Sequence, residues 1–231
     1  MDKQILDRLD GGYALLVGDS PAGPWVFVGS ESEGGESKVT MLESGTSATV
    51  TSDVGGMMHI LPVPGREGEF VAAMGMYAPL VGQGAGIYRL RSPATPTDPW
   101  TVERLFDLPF AHRIGFLEVN GRLRLFAATV SAHKENPDDW SRPGALHVVD
   151  FQRALDSGDW TLKTITSSIY RNHGMWKGTL NGREALLLSG AEGLYEVSPA
   201  ATAPSGFELI PLIAEEISEM VSTMKKLMRV R

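Results

Sequence analysis

The chain contains no cysteine, which excludes disulfide bridges, thiolate metal sites and cysteine nucleophiles. It also has little positive charge, since 21 Lys and Arg residues stand against 28 Asp and Glu residues, for a net charge of −7. A surface that binds nucleic acid needs clustered cations, so this balance argues against a nucleic-acid partner. The one cationic cluster lies in a short basic C-terminal tail, residues 224–231, and consists of Lys225, Lys226, Arg229 and Arg231.

Long apolar runs are missing as well. No run approaches the roughly 20 residues that a membrane-spanning helix needs. The first twelve residues carry acidic charge and no apolar core, unlike a signal peptide. We therefore expect no membrane partner and a cytoplasmic location.

The sequence instead offers many turns and short apolar strands. Gly and Pro number 26 and 14 of the 231 residues, and runs typical of long helices are scarce. Short β-branched and aromatic runs between turn residues predict strands, for example Trp25–Val28, Phe70–Ala73, Leu123–Phe126 and Gly144–Val149. Only Phe151–Leu155 favours a helical turn before the C-terminal region. The predicted fold class is all-β.

Three segments of the chain repeat one another. In each, a first strand ends at a glycine turn, and a fourth strand opens with an aromatic residue, Trp100, Trp160 or Phe207. Four-stranded repeats of about 40 to 50 residues are typical of β-propeller blades, in which bulky residues on the outer strand fill the gap between blades. The pairs Asn120-Gly121 and Asn181-Gly182 predict tight hairpins, because both residue types tolerate positive φ.

The repeats predict a β-propeller of about four four-stranded blades within residues 1–223. The blades span about 11–52, 57–107, 111–167 and 171–214, and a fifth begins at 215–223 with a strand over Ile217–Val221. The repeat breaks there. Either the propeller closes with few blades, or a second copy completes it by packing on the open blade faces, since exposed apolar faces favour association.

Three histidines share one position of the repeat. His59, His112 and His173 follow the start of the preceding outer strand by 12, 12 and 13 residues, and Glu219 follows Phe207 by 12. The first strand of each propeller blade lines the central channel, so we expect these four side chains to converge there.

Two roles remain open for this set. Neutral imidazoles and a carboxylate suit a divalent ion such as Zn²⁺, Mn²⁺ or Fe²⁺, and an open coordination position would activate water or polarise a substrate oxygen. The other role is structural, with histidines that line a half-wet channel and bond neighbouring loops. His133 and His147 fall on a loop and a third strand, where a structural role is favoured.

The repeats resemble those of the FG-GAP/VCBS-like β-propellers, the group that includes the integrin α-chain propeller. The resemblance lies in the stretch from Asn172–Gly174 through Leu187–Gly190 to Glu192–Tyr195. The Asp-rich calcium loops of that group are missing, since the corresponding turns here contain Gly65, Asn120-Gly121 and Asn181-Gly182. Some members of the wider group are sugar lyases, which implies a metal-assisted lyase.

Two classes of function follow as expectations. The first is a metal-dependent enzyme, a lyase or hydrolase, that acts on a small polar or sugar-like molecule with a channel histidine as general base. The alternative is a non-catalytic binding or scaffold propeller, or a truncated propeller without activity.

Overall fold

The structure is a computed structural model that describes residues 5–77 and 81–213. Glu219 and the strand predicted over Ile217–Val221 lie outside the described residues. Within the described residues, 16 strands and a single helix are formed. The strands make four antiparallel sheets of four strands, each sheet ordered as its strands follow along the chain.

The first two sheets occupy the N-terminal half of the chain. The first consists of β1 (Gly12–Gly18), β2 (Trp25–Ser30), β3 (Ser37–Met41) and β4 (Ser47–Thr51). The second consists of β5 (His59–Pro62), β6 (Glu69–Met74), β7 (Gly86–Arg91) and β8 (Thr101–Asp107).

The other two sheets follow the same plan. The third consists of β9 (Ala111–Val119), β10 (Arg122–Thr129), β11 (Gly144–Asp150) and β12 (Lys163–Ile169). The fourth consists of β13 (Gly174–Leu180), β14 (Arg183–Gly190), β15 (Gly193–Pro199) and β16 (Phe207–Ile213). The predicted all-β fold with four four-stranded blades is confirmed.

Turn and cap residues fix the ends of these elements. Asn120 and Asn181 have φ of 52° and 51°, so both predicted Asn-Gly hairpins take the left-handed backbone that a two-residue turn requires. The helix α1 (Phe151–Ser157) extends two residues beyond the predicted turn. The Asp150 carboxylate accepts from the Arg153 N–H at its start, and Gly158, with φ of 73°, ends it.

The described residues divide into two compact units, the first running up to residue 114 and including 133–137, and the second consisting of residues 115–132 and 138–213. In the first unit, the inner faces of the first two sheets share one apolar core. Trp100, predicted to fill a gap between blades, packs there against Phe27, Phe70 and Trp25, with ring centroids 5.4 to 6.1 Å apart.

The second unit has its own core, in which Phe207 opens β16 and contacts Phe126 edge-on at 5.0 Å. Trp160 packs against Phe151 of α1 at 5.8 Å. Across the described residues, no helix has the length and apolar content to cross a membrane.

Candidate functional site

Polar side chains gather at the first strands of the first unit. Tyr13 lies on β1, His59 begins β5, and His112 and Arg113 lie at the start of β9. We call these four residues the first-strand cluster. His59 and His112 were predicted from the repeat, whereas Tyr13 and Arg113 were not.

Arg113 connects the cluster. Its Nη1 atom donates to the carbonyl oxygen of Met58 at 3.0 Å, and its Nη2 atom donates to the Tyr13 hydroxyl at 2.9 Å. The guanidinium also lies 5.4 Å from the centre of the Tyr13 ring, within the range of a cation–π contact. A single side chain of β9 therefore holds β1 and the residue preceding β5 in position.

Tyr13 occupies an irregular point of its strand. Gly12 pairs with Ser30 and Ala14 with Gly29, so β1 has one more residue than β2 over this step, and Tyr13 is that extra residue. A β-bulge of this kind redirects a side chain out of the regular alternation, and bulges are enriched beside functional sites. Here it accompanies a phenol that is 36% exposed and within reach of a buried histidine.

That histidine is His112, which is only 1% exposed. Its Nε2 atom lies 3.4 Å from the Tyr13 hydroxyl oxygen. Since Arg113 already donates to that oxygen, the Tyr13 O–H can donate to His112 when Nε2 carries no proton. The phenol then stands between a cation and a base, the arrangement that activates an oxygen nucleophile.

His59 is half-buried and its Nδ1 atom accepts a hydrogen bond from the backbone N–H of Ile114 at 3.2 Å. Burial, followed by the nearby charge of Arg113, lowers the pKa of His59 to about 4. The ring is therefore neutral at pH 7, and because Nδ1 accepts, its proton lies on Nε2. His59 contributes an N–H donor rather than a lone pair.

His173 belongs to the second unit and is exposed, one residue before β13. Its Nδ1 atom lies 3.0 Å from the carbonyl oxygen of Arg171, which can only accept. The ring is 6.5 Å from that of Trp140, over which the Arg171 guanidinium stacks at 4.9 Å.

The predicted metal site stays a prediction. Within 5–77 and 81–213, no three His, Asp or Glu side chains form a group that could hold a metal ion, and Glu219 is outside these ranges. To bind a metal through Nε2, His59 would have to lose the proton on that atom. The ring would then either become an imidazolate that still accepts from the Ile114 N–H, or carry its proton on Nδ1 and lose the hydrogen bond from Ile114.

The remaining predicted structural histidines have local partners. His133 Nδ1 lies 3.1 Å from the Gln83 side-chain amide in the first unit. In the second unit, His147 Nδ1 lies 3.1 Å from the Thr164 hydroxyl, and burial lowers the pKa of His147. These contacts agree with the structural role expected for both residues.

No protein-family model matches the chain, and no curated protein matches it in sequence. Among solved structures, it is similar to an α-L-arabinofuranosidase from Lactobacillus brevis, with 12% identity over 91% of this chain and 75% of that one, and a TM-score of 0.49. It is also similar to a GH32 β-fructofuranosidase from Bombyx mori, with 9% identity, 90% and 52% coverage, and a TM-score of 0.48.

A third similar structure is a glycoside hydrolase family 43 arabinoxylan arabinofuranohydrolase from Bacillus subtilis, with 8% identity over 87% of this chain and 50% of that one, and a TM-score of 0.47. The resemblance to FG-GAP/VCBS-like propellers is therefore wrong, because the similar structures are glycoside hydrolases and no repeat family matches. The glycine and Asn-Gly turns that replace the Asp-rich loops had already set this chain apart from that group.

Proposed function

We propose that this chain hydrolyses a small sugar-like molecule at the first-strand cluster. The observation that supports the proposal is the position of the Tyr13 hydroxyl, which receives a hydrogen bond from Arg113 at 2.9 Å and lies 3.4 Å from His112 Nε2. A nucleophile, a base within reach of its proton, and a cation beside its oxygen are the parts that covalent catalysis needs.

The roles follow from these contacts. Tyr13 gives its proton to His112, and its oxygen attacks the sugar carbon while the bond to the leaving group breaks. The leaving oxygen takes a proton from a solvent water molecule and departs as an alcohol. The resulting hydroxide attacks the same carbon and its oxygen remains on the sugar, while the bond between that carbon and the Tyr13 oxygen breaks. His112 then returns its proton to Tyr13. Arg113 stabilises the negative charge on the Tyr13 oxygen.

The other donors of the cluster suit a hydroxyl-rich ligand. His59 offers Nε2–H, Arg113 has further N–H groups, and the exposed part of the Tyr13 ring offers an apolar surface. Most glycosidases instead use two carboxyl groups, and a tyrosine nucleophile is the known alternative. The first-strand cluster consists of a tyrosine, two histidines and an arginine, so it corresponds to the tyrosine alternative.

The test is hydrolysis of a panel of 4-nitrophenyl glycosides, pentofuranosides and pyranosides, by the purified chain. We expect at least one substrate to be cleaved, and Tyr13→Phe to lower its kcat on the order of 10³-fold or more. Tyr170→Phe is the matched control, since Tyr170 is exposed to 37% compared with 36% for Tyr13. Equal loss in both variants, or full activity in Tyr13→Phe, would contradict the assignment.

The metal proposal is tested in the same assay. A divalent ion bound by the predicted set would be removed by a chelator and restored by Zn²⁺, Mn²⁺ or Fe²⁺, and elemental analysis would find it at stoichiometric level. His112→Ala and His173→Ala would each lose it. Absence of metal after loading with all three ions would remove the metal from the proposal while leaving the Tyr13 mechanism intact.

A second candidate function is non-catalytic binding of the same class of molecule. It is favoured by the composition of the cluster, whose donors and phenol bind sugar hydroxyls without further chemistry. Calorimetric binding of a monosaccharide with no hydrolysis of any glycoside would select this alternative.

A further inference from the structure

A cavity of about 800 Å³ lies within the second unit. Its wall is formed by the turn between β9 and β10, by helix α1 with the segment that follows it, and by the loop 199–206 before β16. The volume falls in the range of small-molecule sites. None of the first-strand cluster residues lines it, so it is independent of the function proposed above.

The cavity is cationic although the chain is acidic. Four cationic side chains line it, Arg122, Arg124, Arg153 and Lys163, together with two carboxylates, Asp150 and Asp159. The side chains that line the cavity therefore carry a net charge of +2, compared with −7 for the whole chain. Such a concentration of one sign in a concave site attracts ligands of the opposite sign.

Both carboxylates are engaged by the protein. Asp150 Oδ2 lies 3.1 Å from Arg124 Nη1 and 3.7 Å from Arg122 Nη1, while its Oδ1 caps α1. Asp159 accepts from the backbone N–H and the hydroxyl of Thr161. The Asp150 carboxylate therefore pairs with two guanidinium groups. Each guanidinium has five N–H donors, so both retain donors for a ligand.

Apolar residues also line the cavity. Val148, Ala154 and Phe207 are buried, and the loop 199–206 adds small residues such as Ala203 and Gly206. A ligand with one strongly anionic group and a compact body fits a lining that combines cations with apolar residues. A phosphomonoester carries a charge of about −1.5 to −2 at pH 7, which balances the local +2 better than a carboxylate does.

We propose that this cavity binds a small phosphate-bearing molecule of the size of a pentose phosphate, with Arg122 and Lys163 among the groups that hold the phosphate. Arginine suits this role, because its planar fork binds phosphate oxygens through two parallel hydrogen bonds. The bound phosphate would leave the Asp150 pairs in place and occupy the remaining donors.

The experiment is calorimetric titration of the full chain with ribose 5-phosphate, ribose and inorganic phosphate at low and moderate salt. We expect ribose 5-phosphate to bind at least about tenfold more tightly than ribose, with affinity that falls as salt rises. Arg122→Gln and Lys163→Gln, both at exposed positions, should each weaken binding about tenfold without unfolding the protein.

Arg142→Gln provides the matched control, since Arg142 is an exposed arginine of the same unit that does not line the cavity. It should leave the affinity unchanged. Equal affinity for ribose and ribose 5-phosphate would overturn the proposal, as would wild-type affinity in both cavity variants. Since neither variant contacts Tyr13, loss of phosphate binding with intact glycoside hydrolysis separates this inference from the proposed function.

Discussion

The Nδ1 atom of His59 accepts a hydrogen bond from the backbone N–H of Ile114, 3.2 Å away. This contact orients the imidazole and assigns its proton to Nε2. Burial and the charge of Arg113 disfavour a second proton, and the pKa of His59 falls to about 4. The same residue therefore connects the local geometry of the cluster to the stability of the protein.

We predict that stability falls on acidification between pH 6.5 and pH 4. In this window the unfolded chain protonates His59 and the folded chain does not, so the free energy of unfolding drops by up to about 3 kcal/mol. Above pH 6.5 the contribution is constant. Urea denaturation at pH 7 and pH 4.5 measures the difference.

The control is His59→Asn, whose side-chain oxygen can still accept from Ile114 and which does not titrate. Between pH 6.5 and pH 4, the free energy of unfolding of this variant should vary much less with pH than that of the wild-type protein. Burial also lowers the pKa of His147, so the comparison is repeated in a His147→Asn background. An unchanged pH dependence in His59→Asn would contradict the assigned pKa.

A second prediction concerns Arg113→Lys. A lysine ammonium cannot reproduce the fork that binds the Met58 carbonyl and the Tyr13 hydroxyl together. We expect a loss of about 1 to 3 kcal/mol in the free energy of unfolding, and reduced activity, since the Tyr13 oxygen loses its partner. Arg91→Lys is the control, because Arg91 is exposed and its ion pair with Glu103 spans 3.9 Å. If Arg113→Lys left the free energy of unfolding unchanged, the two hydrogen bonds of the Arg113 guanidinium would add no stability.

The fold was predictable from the sequence because its signals are local. Asn120 and Asn181 mark hairpins through their own backbone preference, and Trp100 and Phe207 are large apolar residues at one point of each repeat. The histidine register was also partly informative, since His59 begins β5 and His112 lies at the start of β9. Each of these features depends on a few neighbouring residues and on repetition.

The rest of the site was not predictable, because it depends on contacts between distant parts of the chain. Arg113 reaches Tyr13 across 100 positions. Tyr13 is itself the extra residue of a bulge in the least regular repeat, and nothing in the sequence marks that bulge. The adjacency of Arg113 to the predicted His112 was the one available signal, and a charged residue at the start of a strand is too common to be selective.

A third prediction tests the aromatic core. Trp100 is 8% exposed and contacts three other aromatic rings, so Trp100→Ala should lower the free energy of unfolding by about 3 to 5 kcal/mol. Trp176→Ala, at a residue that is 53% exposed, should change it by less than about 0.5 kcal/mol. Chemical denaturation of both variants measures the contrast. Similar losses would mean that the outer-strand tryptophan does not hold the two sheets together.

The last prediction concerns self-association through an open blade face. Along β1, Ala14 and Leu16 pack into the core, whereas Leu15 and Val17 point away from it and are 65% and 64% exposed. An exposed apolar strand face favours a partner, and we expect a second copy of this chain to cover it. Light scattering after size exclusion should then give a mass above the 25.0 kDa of one chain.

Val17→Lys should shift the protein to the monomer, because a charged side chain would be buried without a partner in the interface. Val81→Lys is the matched control, since Val81 is 61% exposed and lies outside β1. If Val81→Lys dissociates the protein as readily, net charge rather than the β1 face explains the effect. A wild-type chain that stays monomeric at high micromolar concentration would refute association through this face, and the exposed valine and leucine of β1 would then be ordinary surface residues.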